Sequence, residues 1–194
     1  MQTKLITNNF KDLKLVEELA KEAFPPEEYL APAKIIEMNK KGEVEFLALY
    51  DNDLFVGFMV VSVFKNLVYL FFLAIDSKFR SCGYGGQALQ LLDELYPSKQ
   101  QVVDLEKLDN SAQNAKQRET RRNFYLRNGY KDTNKFLSYL GVDYEILCKD
   151  ENFDFETFKE MMKTFSIRNF NPKYFEESWI LRFFLTVNYL EQFV

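Results

Sequence analysis

The sequence predicts a mixed α+β fold, a mostly antiparallel sheet flanked by helices. Three observations predict it. Val68 to Ile75 is apolar over almost its whole length, as in a central strand covered on both faces. Val44 to Tyr50 and Leu54 to Phe64 are strand-like runs on either side of Asp51-Asn52-Asp53, the signature of an antiparallel hairpin. Segments with apolar residues at helical spacing then alternate with further strands, so both kinds of element must share one core.

Taken in order, a short strand near Lys4 to Thr7 leads into a helix over Asp12 to Ala23, whose apolar positions are Leu15, Val16, Leu19, Ala20 and Ala23. Pro25 and Pro26 end it, since proline lacks the amide that a helix interior needs. A short helix over Pro32 to Asn39 runs to the Lys40-Lys41-Gly42 break, and the hairpin and the apolar strand follow. Gly85 to Tyr96 is an amphipathic helix and Val102 to Glu106 another strand. A charged helix over Gln113 to Asn128 is closed by Gly129, and Tyr130 to Ser138 and Val142 to Leu147 form a last strand pair around Gly141.

Composition narrows the function classes. A chain of 194 residues, 47% of them hydrophobic, can bury a full core in one domain with a small appendage, which argues against disorder. A net charge of -4 argues against a protein whose main task is gripping nucleic acid, yet permits a small anionic ligand, because only the local field at its site must be positive. The two cysteines, Cys82 and Cys148, are too few for a disulfide framework and lack metal-ligand spacing, so neither a disulfide scaffold nor a metal site is expected. With no histidine, a Ser-His-Asp triad and imidazole-ligated metals are excluded, and proton transfer falls to carboxylates, Tyr, Lys, Cys or water. Met1 to Phe10 has no signal-peptide core and no apolar run is long enough to cross a bilayer, so the expected setting is cytoplasmic, away from the membrane.

The segment Arg80-Ser81-Cys82-Gly83-Tyr84-Gly85-Gly86 lies between the apolar strand and the helix that follows it. A helix start leaves backbone N–H groups unpaired and adds the positive end of its dipole. Gly83 and Gly85 permit backbone conformations or close approach that a Cβ would obstruct, and Arg80 adds charge; the loop therefore suits an anion such as a pyrophosphate. Gly83-x-Gly85-x-x-Ala88, with Asp104 or Glu106 about 20 residues on, also fits a dinucleotide fingerprint. Against that reading, Asp76 to Cys82 separates the first glycine from its strand and a hairpin, not a β-α-β unit, comes first.

The stretch LAIDSKFRSCGYGGQAL, followed by FYLRNGY, resembles the GCN5-related N-acetyltransferase (GNAT) superfamily, with its Arg/Gln-x-x-Gly-x-Gly/Ala loop and later Tyr-x-x-x-Gly-Phe/Tyr helix end. EAFPPEEYL and NAKQRETRRNFYLRNGY are similar to a bacterial group within it. The resemblance covers roughly Leu5 to Leu147. It implies an acetyltransferase domain over residues 1–150 that moves an acetyl group from acetyl-CoA to a primary amine, small or protein-borne, by direct attack. The backbone of Leu73, Ala74 and Ile75 would pair with the pantetheine arm as an added strand. The backbone from Arg80 through Ser81, Cys82, Gly83, Tyr84 and Gly85 to Gly86 would hold the pyrophosphate, and Asn114 and Arg118 would lie beside the phosphates with Arg121 and Arg122. Related sequences commonly carry Asn and Ala where this chain has Arg118 and Arg121.

Tyr125 matches the superfamily tyrosine that protonates the departing thiolate, and a phenol with a pKa of about 10 can donate to a thiolate whose acid has one of about 8.5. An amine with a pKa of about 10.4 must lose its proton, at a cost of about 4.6 kcal/mol at neutral pH, so a base is expected. Glu106 is the first candidate, with Asp104 in reserve on the same strand face. Glu27 and Glu28 fall where related enzymes close a loop over the acceptor, with Phe24 and Tyr29 as walls; the simpler reading is a pair of exposed helix-start charges.

Residues 151–194 form a helical extension. Phe155, Phe158, Met161, Met162 and Phe165 recur at helical spacing, as do Phe175, Trp179, Phe183, Val187, Leu190 and Val194. Such a stripe packs on the core or joins two copies in a homodimer. A different class of protein, an acyl-CoA-binding regulator without turnover, would share every feature except a working Tyr125.

Overall fold

In the computed structural model, which describes residues 1–25, 28–139, 141–167 and 170–177, eight strands form one sheet. The strands are β1 (Gln2–Leu5), β2 (Glu45–Asp51), β3 (Leu54–Phe64), β4 (Leu67–Ile75), β5 (Gln100–Glu106), β6 (Lys131–Tyr139), β7 (Val142–Cys148) and β8 (Lys173–Phe175). Their order across the sheet is β1-β2-β3-β4-β5-β7-β6-β8, and only the central β4–β5 pair is parallel. The helices are α1 (Leu13–Ala23), α2 (Pro32–Lys40), α3 (Tyr84–Leu95), α4 (Ala115–Arg127) and α5 (Phe155–Met162). Among the described residues no helix is long and apolar enough to span a membrane.

The strand period of two divides the core between the faces. On β2, Phe46, Ala48 and Tyr50 join Val16 and Leu19 of α1, Ile35 of α2 and Phe158 of α5. Leu47 and Leu49 face the other way, toward Leu89 and Leu92 of α3 and Tyr125 of α4. The sheet is therefore the middle of three layers, which explains why β3 and β4 read as nearly continuous apolar runs.

One irregularity decides where a ligand can enter. The β3–β4 register steps from Val60↔Phe72 to Val61↔Leu70, which leaves Phe71 as an extra residue in β4. Such a bulge bends and twists its strand. On its other side β4 pairs with β5 only at Leu67↔Gln100, Val68↔Gln101 and Tyr69↔Val102, although both strands run on. The two central strands thus splay apart beyond Tyr69.

The described part of the expected extension is only partly helical. Phe155, Phe158, Met161 and Met162 form the short α5, which packs on the α1 side of the sheet. Phe175, expected to start a second helical stripe, lies in β8 paired with Phe136 of β6, and its ring stacks on Phe136. An unpaired sheet edge outcompeted helical periodicity there. Trp179, Phe183, Val187, Leu190 and Val194 lie outside the described residues.

Candidate active site

The splay between β4 and β5 opens a cleft of about 290 Å³ that crosses the sheet. Leu70 to Leu73 line it from β4, Val103 to Glu106 from β5, and Tyr125 from α4. Beyond Tyr69 the β5-facing edge of β4, including Leu73, Ala74 and Ile75, has no strand partner among the described residues. An extended ligand can hydrogen-bond there as a strand would.

That edge leads straight into the glycine loop. A turn of 3-10 helix over Ser77–Phe79 follows β4, and α3 begins at Tyr84. Gly83 caps α3 with φ at +85°, a left-handed conformation that glycine adopts without steric cost, and Ser81 is also left-handed at +63°. The backbone N–H groups of Ser81, Gly83, Tyr84, Gly85 and Gly86 find no acceptor among the described residues. Five donors converging on a helix start suit an anion. Gly85 serves packing instead: a Cβ there would stand 3.1 Å from the Phe124 ring, so glycine lets α3 approach α4.

The loop's side chains mostly have protein partners. Arg80 donates through Nε to the Ile75 carbonyl at 3.2 Å and pairs with Glu22 Oε1 at 2.9 Å. The anion that offsets an arginine at a helix start is thus supplied by α1. Tyr84 donates its hydroxyl to Asp51 Oδ2 at 2.8 Å, tying α3 to the β2–β3 hairpin. Cys82 is exposed, with Sγ 3.6 Å from the Arg80 carbonyl.

Tyr125 sits in the last turns of α4. Gly129 and Tyr130 close that helix through Gly129 N–H to Leu126 O and Tyr130 N–H to Tyr125 O, the paired bonds of a Schellman end. The Tyr125 ring is held edge-on by Phe124 at 5.0 Å and Tyr130 at 5.2 Å, and the side chain is 6% exposed. Its hydroxyl has no hydrogen-bond partner among the described residues. Burial holds the phenol above its ordinary pKa, with Arg121 pulling the other way, so it stays protonated and able to donate.

The carboxylates depart from expectation. Glu106 lines the cleft but already has partners: Asn114 Nδ2 donates to both its oxygens at 3.1 Å, Arg118 pairs with it at 2.9 Å and Arg121 at 3.4 Å. Arg118 also donates to Asn114 Oδ1 and the Lys107 carbonyl, both at 2.8 Å. Asn114 and Arg118, expected beside the cofactor phosphates, therefore have internal partners, with the Arg118 side chain 15% exposed. Arg122 likewise pairs with Glu145 and Asp132. Three arginines in one helix read as phosphate ligands because a sequence does not show the acids they meet.

Asp104 lines the cleft beside Glu106 and, unlike it, has no ion-pair partner among the described residues. Val103 and Leu105 pack on the α3 side, so the strand pleat turns Asp104 toward the α1 side. There Tyr69 donates to its Oδ1 at 2.6 Å, while Oδ2 is buried without a hydrogen-bond partner. Burial pushes its carboxyl up to about 6, opposed by Tyr69 and by the nearby Tyr139 hydroxyl. A second acid joins it: Glu28 lies in a turn after α1, not at a helix start, and accepts from the Tyr144 hydroxyl at 3.2 Å. Burial, then Glu106, raises its pKa. Glu27 lies outside the described residues. Tyr69, Tyr139 and Tyr144 carried no sequence signal beyond a polar tip in an apolar strand, and Asp104 carried only its position between Val103 and Leu105.

Residues 42–132 match the family model for the acetyltransferase (GNAT) domain. A protein of Bacteroides thetaiotaomicron assigned to the GNAT family of acetyltransferases superposes with a TM-score of 0.67 at 25% identity, over 84% of this chain and 97% of its own. The aminoglycoside 6'-N-acetyltransferase of Enterococcus faecium (TM-score 0.58, 18% identity, 77% and 96% covered) shares the fold. So does a GNAT family acetyltransferase of Elizabethkingia anophelis solved with acetyl-CoA bound (TM-score 0.52, 15% identity, 77% and 97% covered). No curated protein sequence matches. The chain thus has the GNAT fold, with the splayed β4–β5 pair at its centre.

Proposed function

We propose, from the premise that this chain carries a GNAT acetyltransferase domain, that it transfers an acetyl group from acetyl-CoA to a primary amine by direct attack. One observation carries the reading. The unpaired edge of β4 runs from a cradle of five unpartnered N–H groups to a cleft that holds a phenol and a carboxylate. Pyrophosphate fits the Ser81 to Gly86 backbone, and the pantetheine amides fit the edge at Leu73, Ala74 and Ile75.

The chemistry then follows from the two sides of the cleft. Asp104 accepts a proton from the incoming ammonium, and its raised pKa makes it a better base near neutrality than a free aspartate. The amine nitrogen bonds to the acetyl carbonyl carbon, and the carbon–sulfur bond breaks as the tetrahedral intermediate collapses, with the second proton of the nitrogen passing to solvent. Tyr125 donates its proton to the departing thiolate, and solvent returns one to Tyr125 and takes one from Asp104. Glu106 positions α4 through Asn114, Arg118 and Arg121 and so sets where the Tyr125 hydroxyl stands.

A dinucleotide finds less support. Of the two acids such a site would offer a ribose, Asp104 is bonded to Tyr69 and turned to the α1 side of the sheet, opposite α3, and Glu106 is taken up by Asn114, Arg118 and Arg121. Thermal shift with CoA and acetyl-CoA, followed by thiol release across a panel of amines, tests the proposal. Stabilisation by CoA with amine-dependent thiol release is the expected result; no stabilisation by CoA would overturn it.

A further inference from the structure

On the α1 side of the cleft, Glu28 and Asp104 sit among aromatic rings, beside a third carboxylate, Glu106, that is already paired with Arg118 and Arg121. Neither Glu28 nor Asp104 has an ion-pair partner among the described residues; their polar contacts are tyrosine hydroxyls. Burying carboxylates without a cation is costly: burial, then Glu106 and more weakly Asp104, raise the pKa of Glu28, and Arg121 offsets this only in part. Arg121 lines the same cleft but is paired with Glu106. A cation arriving from solution would therefore recover interaction energy that the protein leaves unclaimed.

The remaining wall is apolar and comes partly from beyond the segment matching the family model. Ile167 and Phe170 line the cleft from the chain after α5. Phe170 meets Tyr139 edge-on at 5.3 Å, and Tyr139 stacks on Tyr144 at 4.4 Å. Opposite them stand Tyr29 and Phe24, the latter 4.5 Å from Phe72. A polyhydroxylated or multiply charged amine would bring polar groups to this wall that find no partners, which costs affinity for each. The volume, shared with the acetyl end of the donor, also limits size.

The geometry points to a small amphipathic primary amine as the acceptor: one ammonium held between Glu28 and Asp104, and an alkyl or aryl body against Ile167, Phe170 and Tyr29. This rests on the acetyltransferase reading for its chemistry, but the binding can be measured without turnover. Titration calorimetry of 2-phenylethylamine into the protein saturated with CoA should show saturable binding. Glu28→Gln and Phe170→Ala should each weaken it at least about 10-fold, with unchanged circular dichroism and unchanged CoA affinity. In thiol release, 2-phenylethylamine and hexylamine should exceed spermidine, kanamycin and a lysine peptide by at least about 10-fold in kcat/KM. Absence of saturable 2-phenylethylamine binding, or a preference for spermidine, kanamycin or the peptide, overturns the inference. Loss of CoA binding alone would strike the acetyltransferase reading and leave the amine titration to be judged by itself.

Discussion

Replacing Asp104 with Asn should slow the proposed acetyl transfer and stabilise the fold. The wild-type carboxyl has a pKa of about 6 in the fold, against 3.8 for a free aspartate. Below pH 4 it is neutral in both folded and unfolded chains, and the favourable contribution is fully present. As pH rises through 6 the folded chain must ionise a buried group, and that contribution is lost. The gap of just over two pH units corresponds to roughly 3 kcal/mol by linkage. Two effects reduce what Asn recovers: the residue retains some exposure, and the new amide brings a donor to the place where Oδ2 has no partner. An expected gain of roughly 1–2 kcal/mol at pH 7.5 remains, shrinking to nothing near pH 4. Urea unfolding of both proteins at pH 4, 5, 6 and 7.5 measures it. Acetylation by the variant should fall about 100-fold and lose the limb of the pH–rate profile near 6. A variant less stable than wild type at pH 7.5 would refute the burial argument, and one with unchanged turnover would refute the base assignment.

Three further outcomes follow from the same geometry. Tyr125→Phe should lower kcat by about 100-fold while leaving the KM for acetyl-CoA near normal, since the lost hydroxyl acts only as the thiolate leaves; steady-state kinetics decide it. Glu106→Gln should cost roughly 3–5 kcal/mol in denaturant unfolding, because Arg118 and Arg121 lose a shared counter-charge that is 10% exposed, and it should retain the pH-rate limb near 6. Gly83→Ala should cost about 1–2 kcal/mol for a left-handed alanine, a fall in Tm of several degrees, and should weaken CoA binding in a thermal-shift titration.

Much of the frame is legible in the chain itself. The apolar run of β4, the hairpin before it, and the glycine loop opening α3 follow from residue-by-residue periodicity and from positions that only glycine occupies without strain. Even α4 announces its end through Gly129. The extension was less legible: Phe175 keeps helical spacing with its neighbours but joins β8, because the open edge of β6 offers hydrogen bonds that local propensity does not register. Glu28 read as an exposed helix-start charge because acids favour that position, whereas in the fold it lies in a turn and is half-buried.

The division has a physical cause. Periodicity, turn chemistry and helix ends are set by neighbours within a few residues, so the sequence by itself determined the element order through β7, the glycine loop opening α3 and the place of Tyr125. Which acid meets which base is set through space. Tyr144 reaches Glu28 across 116 positions, Tyr69 reaches Asp104 across 35, and Phe170 returns from the far end to wall the cleft. Only the tertiary structure decided that Arg118 is paired with Glu106, and that Asp104 is buried enough to hold its carboxyl above the usual range. Burial and charge pairing exist only once the chain has folded.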